Sequence, residues 1–242
     1  MIKDFLMVRA APMVPCAEVQ HYLQFKHAPL ALSVPVVARE MKLYTMNHVI
    51  DETASSYALY PPVPGLVSVV EHMFGGWEGM GRIEADGQYC SLIRPDEAYM
   101  IKHLMAGAPQ FVAIDEERPV FTSSLPARAR LFDFIRRPAA ISRHAFLEGL
   151  DADAVWAANN VNYRSAVAKR THSITGAGWI GEKSDATSYG TDSEGFDAVV
   201  EVWIADLSRF ADLIGEQQER RALFCDPKRS FTAMTEEHRI IN

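Results

Sequence analysis

The chain repeats itself, and an internal repeat narrows the possible folds more than any single motif does. Phe5-Leu6-Met7-Val8-Arg9 is echoed by Phe132-Asp133-Phe134-Ile135-Arg136 at an offset of 127. The same offset sets Val19 on Phe146, Leu23 on Leu150 and Lys42 on Lys169. The run 69–74 is matched by 199–204 at an offset of 130, and 111–117 by 231–237 at an offset of 120. Four blocks in one order read as two diverged copies, 1–122 and 127–242. They are joined by Thr122-Ser123-Ser124-Leu125-Pro126, a polar stretch ending in a helix breaker.

Each copy shows one layout. An opening strand rich in β-branched and aromatic residues (3–9; 130–136) leads into a Pro-containing turn and a helix. Pro15 sits where its fixed φ suits the first helical turn, and Ser142 is an N-cap for the second copy's helix. A second strand (42–49; 169–175), a loop, a third strand (67–74; 197–204), a second helix and a closing strand (111–116; 231–241) follow. The second helix is clearest at 208–219, and the first copy adds a helical segment at 95–105. The order β-α-β-β-α-β is the ferredoxin-like arrangement, so the expected class is α+β.

Strand alternation then sorts the faces. Val200, Val202 and Ile204 form an aliphatic face that belongs under helices. Val199, Glu201 and Trp203 form the other, matched by Val69, Glu71 and Met73. A carboxylate between apolar neighbours suits a partly polar space between two sheets. The expectation is two ferredoxin-like modules packed sheet to sheet as an intramolecular α/β barrel.

Composition removes several functions. With 24 Lys+Arg against 31 Asp+Glu, the net charge of −7 argues against nucleic acid or an anionic membrane as partner. Residues 1–8 lack the apolar core of a signal peptide, and no stretch approaches a membrane span, so a cytoplasmic protein is expected. Cys16, Cys90 and Cys225 show no metal-ligand spacing, and no metal is expected. Gly75-Gly76 and Gly176-Ala177-Gly178 read as turns, lacking a nucleotide-binding pattern. No HExxH, GxSxG or Cys–His nucleophile arrangement is present. The tryptophans 77, 156, 179 and 203 read as core, with Trp203 a possible stacking wall for a ligand.

The helix ending in His27-Ala28-Pro29-Leu30, the strand Leu43-Tyr44-Thr45-Met46-Asn47-His48-Val49 and the glutamate-bearing third strand resemble the EthD-like family, which belongs to the dimeric α/β-barrel superfamily. The resemblance runs over nearly the whole chain in two passes. At the repeat offset, however, His27, Tyr44, Asn47 and His48 become Ala154, Thr171, Ile174 and Thr175, which implies one working copy and one scaffold copy. It further implies degradation or tailoring of a small aromatic or polyketide-like molecule. Sister families include cofactor-free monooxygenases, cyclases and haem-binding tandem barrels.

Four residues are candidates for acid/base work. His27 would end the first helix just before Pro29, where the helix dipole favours a cation, and an imidazole is the natural base near neutral pH; the structural alternative is a C-cap. Tyr44 and His48 share one strand face and suit polarisation of a phenolic or enolisable substrate, or else a packing aromatic and a solvated histidine. Parity alone leaves open whether 44/46/48 or 45/47/49 faces inward. Glu71 and Glu201 should approach each other across the pseudo-twofold axis. Buried together they would raise a pKa and supply a neutral acid; the alternative is pairing with an arginine such as Arg9 or Arg136. Asn47, Met73, Glu201 and Trp203 complete a candidate substrate-binding set, while His72 has the parity of a core histidine.

The reading that follows is a small-molecule enzyme working by proton transfer without a bound cofactor, lyase-like or oxygen-dependent, with a small hydrophobic or aromatic substrate and a possible homodimer. A non-catalytic carrier is one alternative. A haem-binding barrel with His48 or His172 as axial ligand is another.

Overall fold

A computed structural model describes residues 1–50, 57–175 and 195–241. Gly176-Ala177-Gly178 and Trp179 lie outside the described residues. The first half supplies strands β1 (Ile2–Arg9), β2 (Met41–Val49), β3 (Leu66–Phe74) and β4 (Gln110–Thr122). The second supplies β5 (Ala129–Ile135), β6 (Val167–Thr175), β7 (Ala198–Ile204) and β8 (Phe231–Ile241). These eight strands close into one antiparallel barrel in the order β1-β3-β2-β8-β5-β7-β6-β4. Read around the barrel, β4-β1-β3-β2 is followed by β8-β5-β7-β6, so both halves use the same order. They join through hydrogen-bonded ladders, β2 with β8 and β4 with β6, each with register shifts along it, rather than by face-to-face packing alone. Closure leaves none of the eight described strands at a sheet edge.

Helices α1 (Cys16–Tyr22), α2 (Ala28–Leu32), α3 (Pro35–Glu40), α4 (Trp77–Glu84) and α5 (Arg94–His103) cover the first half. Helices α6 (Arg143–Asn159), α7 (Val161–Ala166), α8 (Leu207–Ala211) and α9 (Ile214–Arg221) cover the second. Ser142 caps α6 by accepting from the Ala145 amide. The helix expected to stop at Pro29 does not stop there. A π-helical segment, Leu23–His27, joins α1 to α2, and the Ala28 amide reaches back to the Leu23 carbonyl. Widening the turn relieves the clash of a mid-helix proline with the carbonyl four residues earlier. Pro95 is handled alike: the π-helical segment Tyr89–Ile93 precedes it, with the Arg94 amide on the Tyr89 carbonyl.

Strand alternation divides the apolar residues into three clusters. Val8, Tyr44, Met46 and Val70 pack under the helices of the first half. Leu131, Ile174, Val200, Val202 and Ile204 pack under those of the second. Phe5, Met7, Val69, Phe132, Phe134, Val199 and Phe231 fill the barrel. Their rings interlock, Phe5 edge-on to Phe132 at 5.6 Å and Phe134 stacked on Phe231 at 4.6 Å between centroids. An eight-stranded barrel is just wide enough for such side chains to fill it.

Strand pairing also corrects the internal alignment. Phe5 pairs with Glu71 and Phe132 with Glu201, so positions that match in the barrel lie 127 residues apart in β1 and β5 and 130 apart in β3 and β7. On the second strands, however, Thr45 pairs with Glu71 and Thr171 with Glu201, an offset of 126. The positional equivalents of Tyr44, Asn47 and His48 are therefore Arg170, Ser173 and Ile174. On the closing strands Val112 and Ala233 pair with Phe5 and Phe132, an offset of 121. Each slip of one residue would have turned a barrel-facing side chain toward the helices.

One segment crosses between halves. Leu59 and Tyr60, from the β2–β3 connection, pack into the helix-side core of the second half. The Tyr60 amide donates to Thr232 Oγ1 at 3.1 Å, and Gln218 Nε2 donates to the Leu59 carbonyl at 3.2 Å.

Candidate functional site

The two glutamates do meet inside the barrel, but with cations between them. Lys3 Nζ lies 2.9 Å from Glu71 Oε1 and 2.9 Å from Glu201 Oε1. Arg130 donates to Glu71 Oε2 at 2.7 Å and, more closely still, to Glu201 Oε2. Asn47 Oδ1 accepts from Arg130 at 3.2 Å, and Ser173 Oγ donates to Glu201 at 2.7 Å. The layer is a four-charge array in which each cation touches one carboxylate of its own half and one of the other. Glu117 and Glu237 add to it from the rim, at 2.7 Å from Lys3 and 3.1 Å from Arg130.

Of the two readings of these glutamates, neutral acid or pairing with a cation, the geometry favours pairing. Burial alone would raise the Glu71 pKa, but Arg130 and Lys3 outweigh it and hold the carboxyl below its ordinary range. Burial likewise opposes the charge on Lys3, and Glu201 and Glu71 outweigh it to raise the ammonium pKa. The partners are Lys3 and Arg130, not Arg9 or Arg136, because those two leave the opposite ends of β1 and β5. From Lys3 to Arg9 is six residues, roughly 20 Å of strand. The missed signal was in the sequence spacing: 127 residues separate Lys3 from Arg130, as they do Phe5 from Phe132, with the same strand parity. Met73 and Trp203 lie half-buried at the mouth beyond this layer. The Trp203 ring is already engaged, with Arg130 4.3 Å and Lys169 Nζ 4.2 Å from its centroid.

On β2 the open choice of face is decided. Thr45 and Asn47 point into the barrel, and Tyr44, Met46 and His48 point to the helices. Tyr44 and His48 share that face but stand roughly 13 Å apart along the strand, so they do not act on one proton. Tyr44 packs edge-on against His72, with ring centroids 4.8 Å apart. His48 Nε2 lies 3.3 Å from Gln24 Oε1, and its ring is 4.8 Å from that of His238. Burial and the neighbouring His238 push its pKa down to about 4, so the ring is neutral near pH 7. His172 is sealed beneath the second half's helices, where its Nε2 accepts from Arg170 Nε at 3.0 Å. Burial first and Arg170 second push its pKa well down. That bond occupies the nitrogen an axial ligand would offer.

His27 closes the π-helical segment instead of a helix C-terminus, which removes the dipole argument for it. The structure supplies a different one. His27 Nδ1 lies 2.7 Å from Asp96 Oδ2, and the Tyr22 hydroxyl donates to Asp96 Oδ1 at 2.6 Å. Asp96 belongs to α5, the helix without a counterpart in the second half. Burial opposes its charge, but His27 and Tyr22 together lower its pKa. Burial and Asp96 raise that of Tyr22. A carboxylate on Nδ1 sets the tautomer and stabilises the imidazolium, leaving Nε2 to exchange a proton. Among the described residues, no group of three or more His, Cys, Asp or Glu side chains is placed to hold a metal ion. Nor, among them, is any helix long and apolar enough to cross a membrane.

No protein-family model matches the chain, and no curated protein matches it. Solved structures do. An anthrone oxidase-like protein is 7% identical, with a TM-score of 0.59 over 98% of this chain and 92% of that one. A candidate monooxygenase from Fusobacterium nucleatum is 6% identical, with a TM-score of 0.53 over 98% and 91%. Chlorite dismutase from Candidatus Nitrospira defluvii, in complex with imidazole, is 11% identical, with a TM-score of 0.51 over 97% and 90%. Identities this low carry the fold and nothing finer. What these proteins share with this chain is the overall fold.

Proposed function

We propose that the chain is a cytoplasmic EthD-like enzyme, built from two ferredoxin-like modules at 1–122 and 127–242. It moves a proton on a small aromatic or polyketide-like substrate with its own side chains. The observation that carries this reading is the 2.7 Å contact of His27 Nδ1 with Asp96, itself held by Tyr22. With Nδ1–H donated to Asp96, the neutral Nε2 takes a proton from an acidic C–H or O–H of the substrate, and Asp96 stabilises the imidazolium that forms. An enolate so formed expels a β-leaving group, which departs with the proton held on His27 Nε2. An alkoxide formed at a β-hydroxyl breaks the adjacent C–C bond, and the carbanion released takes that proton. Alternatively the enolate passes an electron to dioxygen and combines with the superoxide to a peroxide that takes it, so both the lyase and the oxidation readings are covered. Tyr44 and His48 line the helix side of β2 in the same half, consistent with a site drawn from the first module. Glu71, Glu201 and Asn47 hold the barrel together through Lys3 and Arg130 instead of meeting substrate. A homodimer is compatible with this arrangement.

Exchange of the methyl protons of acetophenone in D2O, followed by proton NMR, tests the proton-transfer step without knowledge of the natural substrate. The wild-type protein is expected to accelerate exchange. His27→Ala should lose on the order of 10²–10⁴-fold of that acceleration, and Asp96→Asn a substantial part of it. Exchange no faster than in buffer, or a His27→Ala rate equal to wild type, overturns the assignment.

A further inference from the structure

Between α3 and α4 the first half carries a charge cluster that the second half lacks. Met41 pairs with Phe74 and Val167 with Ile204, so Arg39 and Glu40 match Ser165 and Ala166. Helix α4 opens at Trp77, as far beyond Phe74 as Leu207 of α8 is beyond Ile204, so Arg82 matches Asp212. Ala166 is fully buried in an apolar cluster, so the shared architecture needs no charge at that position.

Glu40 is 8% exposed, and a buried carboxylate is unfavourable unless it is paired. Arg82 pairs with it in full. Its Nε lies 3.1 Å from Glu40 Oε1 and its Nη2 2.8 Å from Oε2, the two-pronged match of guanidinium and carboxylate. Gly79 makes room for that fork, since a Cβ there would stand 3.2 Å from Glu40 Oε2. One arginine neutralises one carboxylate, yet Arg39 Nε also donates to Oε1, at 2.8 Å. Glu40 thus fixes two guanidiniums beside each other. Arg82 Nη1 and both Nη groups of Arg39 make no hydrogen bond to the described residues.

Arg39 and Arg82 line a groove of about 490 Å³ with Pro35, Val36, Ala85 and Asp86. That volume lies within the roughly 300–1,000 Å³ of small-molecule pockets. The groove opens to solvent, and the Arg39 and Arg82 side chains are 62% and 53% exposed, so a ligand has both room and access. Asp86 is engaged by the Gln88 and Tyr89 amides at 2.8 and 3.0 Å. What the groove offers a ligand is guanidinium N–H beside an apolar wall of Pro35, Val36 and Ala85.

We infer that this groove binds a small organic carboxylate, held by Arg39 and Arg82 and packed on Pro35, Val36 and Ala85. A carboxylate is planar and singly charged, and it takes parallel N–H bonds from a guanidinium. A phosphate dianion would bring a second negative charge beside Glu40 and Asp86 and leave the apolar wall uncovered. The site is separate from the His27–Asp96 pair, neither member of which lines the groove.

The test follows the Arg39 and Arg82 Nε–H resonances of the intact, uniformly 15N-labelled protein. Sodium benzoate, benzamide and inorganic phosphate are titrated separately at matched ionic strength. Benzoate is expected to shift both resonances saturably, benzamide to leave them in place because it lacks the charge, and phosphate to bind more weakly. Arg39→Gln, read at Arg82, should weaken benzoate binding about 10- to 100-fold, the size of a lost hydrogen bond to a charged group. Ala85→Phe should fill the groove and abolish saturable binding with every charge kept. Arg39 and Ala85 are both exposed, so neither change disturbs the core. Three results overturn the inference: no saturable shift under benzoate, phosphate or benzamide binding as tightly as benzoate, or an Ala85→Phe protein that binds benzoate as wild type does. The last is what ion pairing on an open surface would give.

Discussion

Removing Arg130 is the sharpest test of how the barrel interior is held. Arg130→Met keeps much of the side-chain volume and deletes the guanidinium. That strips the close contact with Glu201, the 2.7 Å contact with Glu71, the 3.1 Å contact with Glu237 and the bond to Asn47. The inner layer of Lys3, Arg130, Glu71 and Glu201 is neutral as built, and the substitution leaves it at −1. The Glu71 and Glu201 side chains are 5% and 0% exposed, so water cannot replace the lost cation. Breaking a buried pair from one side costs about 3–5 kcal/mol, a large share of the ~5–15 kcal/mol that holds a domain together. Urea unfolding at pH 7 reads the loss directly. The deficit should shrink as pH falls, because an uncompensated buried glutamate has a raised pKa and sheds its charge by taking a proton. Adding Glu201→Gln restores neutrality, so the double variant should be more stable than Arg130→Met alone. A cost below about 1 kcal/mol, or a double variant whose cost is the sum of the two singles, would refute the view that these charges act as one array.

Two further outcomes follow from the same structure. Residues 1–122 expressed alone should be insoluble or form homodimers, because Phe5, Met7 and Val69 are covered by Phe132, Phe134 and Val199 of the other half; a folded monomer in sedimentation would sink the reading of two interdependent modules. His48, with its pKa lowered to about 4 in the folded chain against about 6.5 unfolded, binds its proton more readily when unfolded. Stability should therefore fall as pH drops from about 6.5 to about 4. His48→Leu should flatten that slope by roughly 1–3 kcal/mol in pH-dependent urea unfolding, the full shift being discounted for partial exposure.

Much of the architecture was legible from local pattern. Side chains alternate with period two on any strand, so the assignment of Val200, Val202 and Ile204 to the helices and of Glu71 and Glu201 to the interior needed no knowledge of partners. Ser142 at the start of α6 is local for the same reason: a cap acts three residues away. Pro29 was misread because a proline's effect depends on the turn before it. A π-helical segment costs little when the helix is packed against a core, so the chain continued where propensity alone would stop it.

What only tertiary structure decided was pairing. The offsets expected from sequence for β2 and β4 differ by one residue from the positions that match in the barrel, since small drifts in sequence similarity do not fix hydrogen-bond register, and a slip of one reverses every face. The cations opposite Glu71 and Glu201, the carboxylate on His27 and the aspartate on His72 come from 59, 198, 69 and 68 residues away. Hydrophobic periodicity is a property of neighbours in the chain and states which side of an element is buried. Which charge meets which is settled when the barrel closes, because closure alone brings those strands and helices within 3 Å or so of one another.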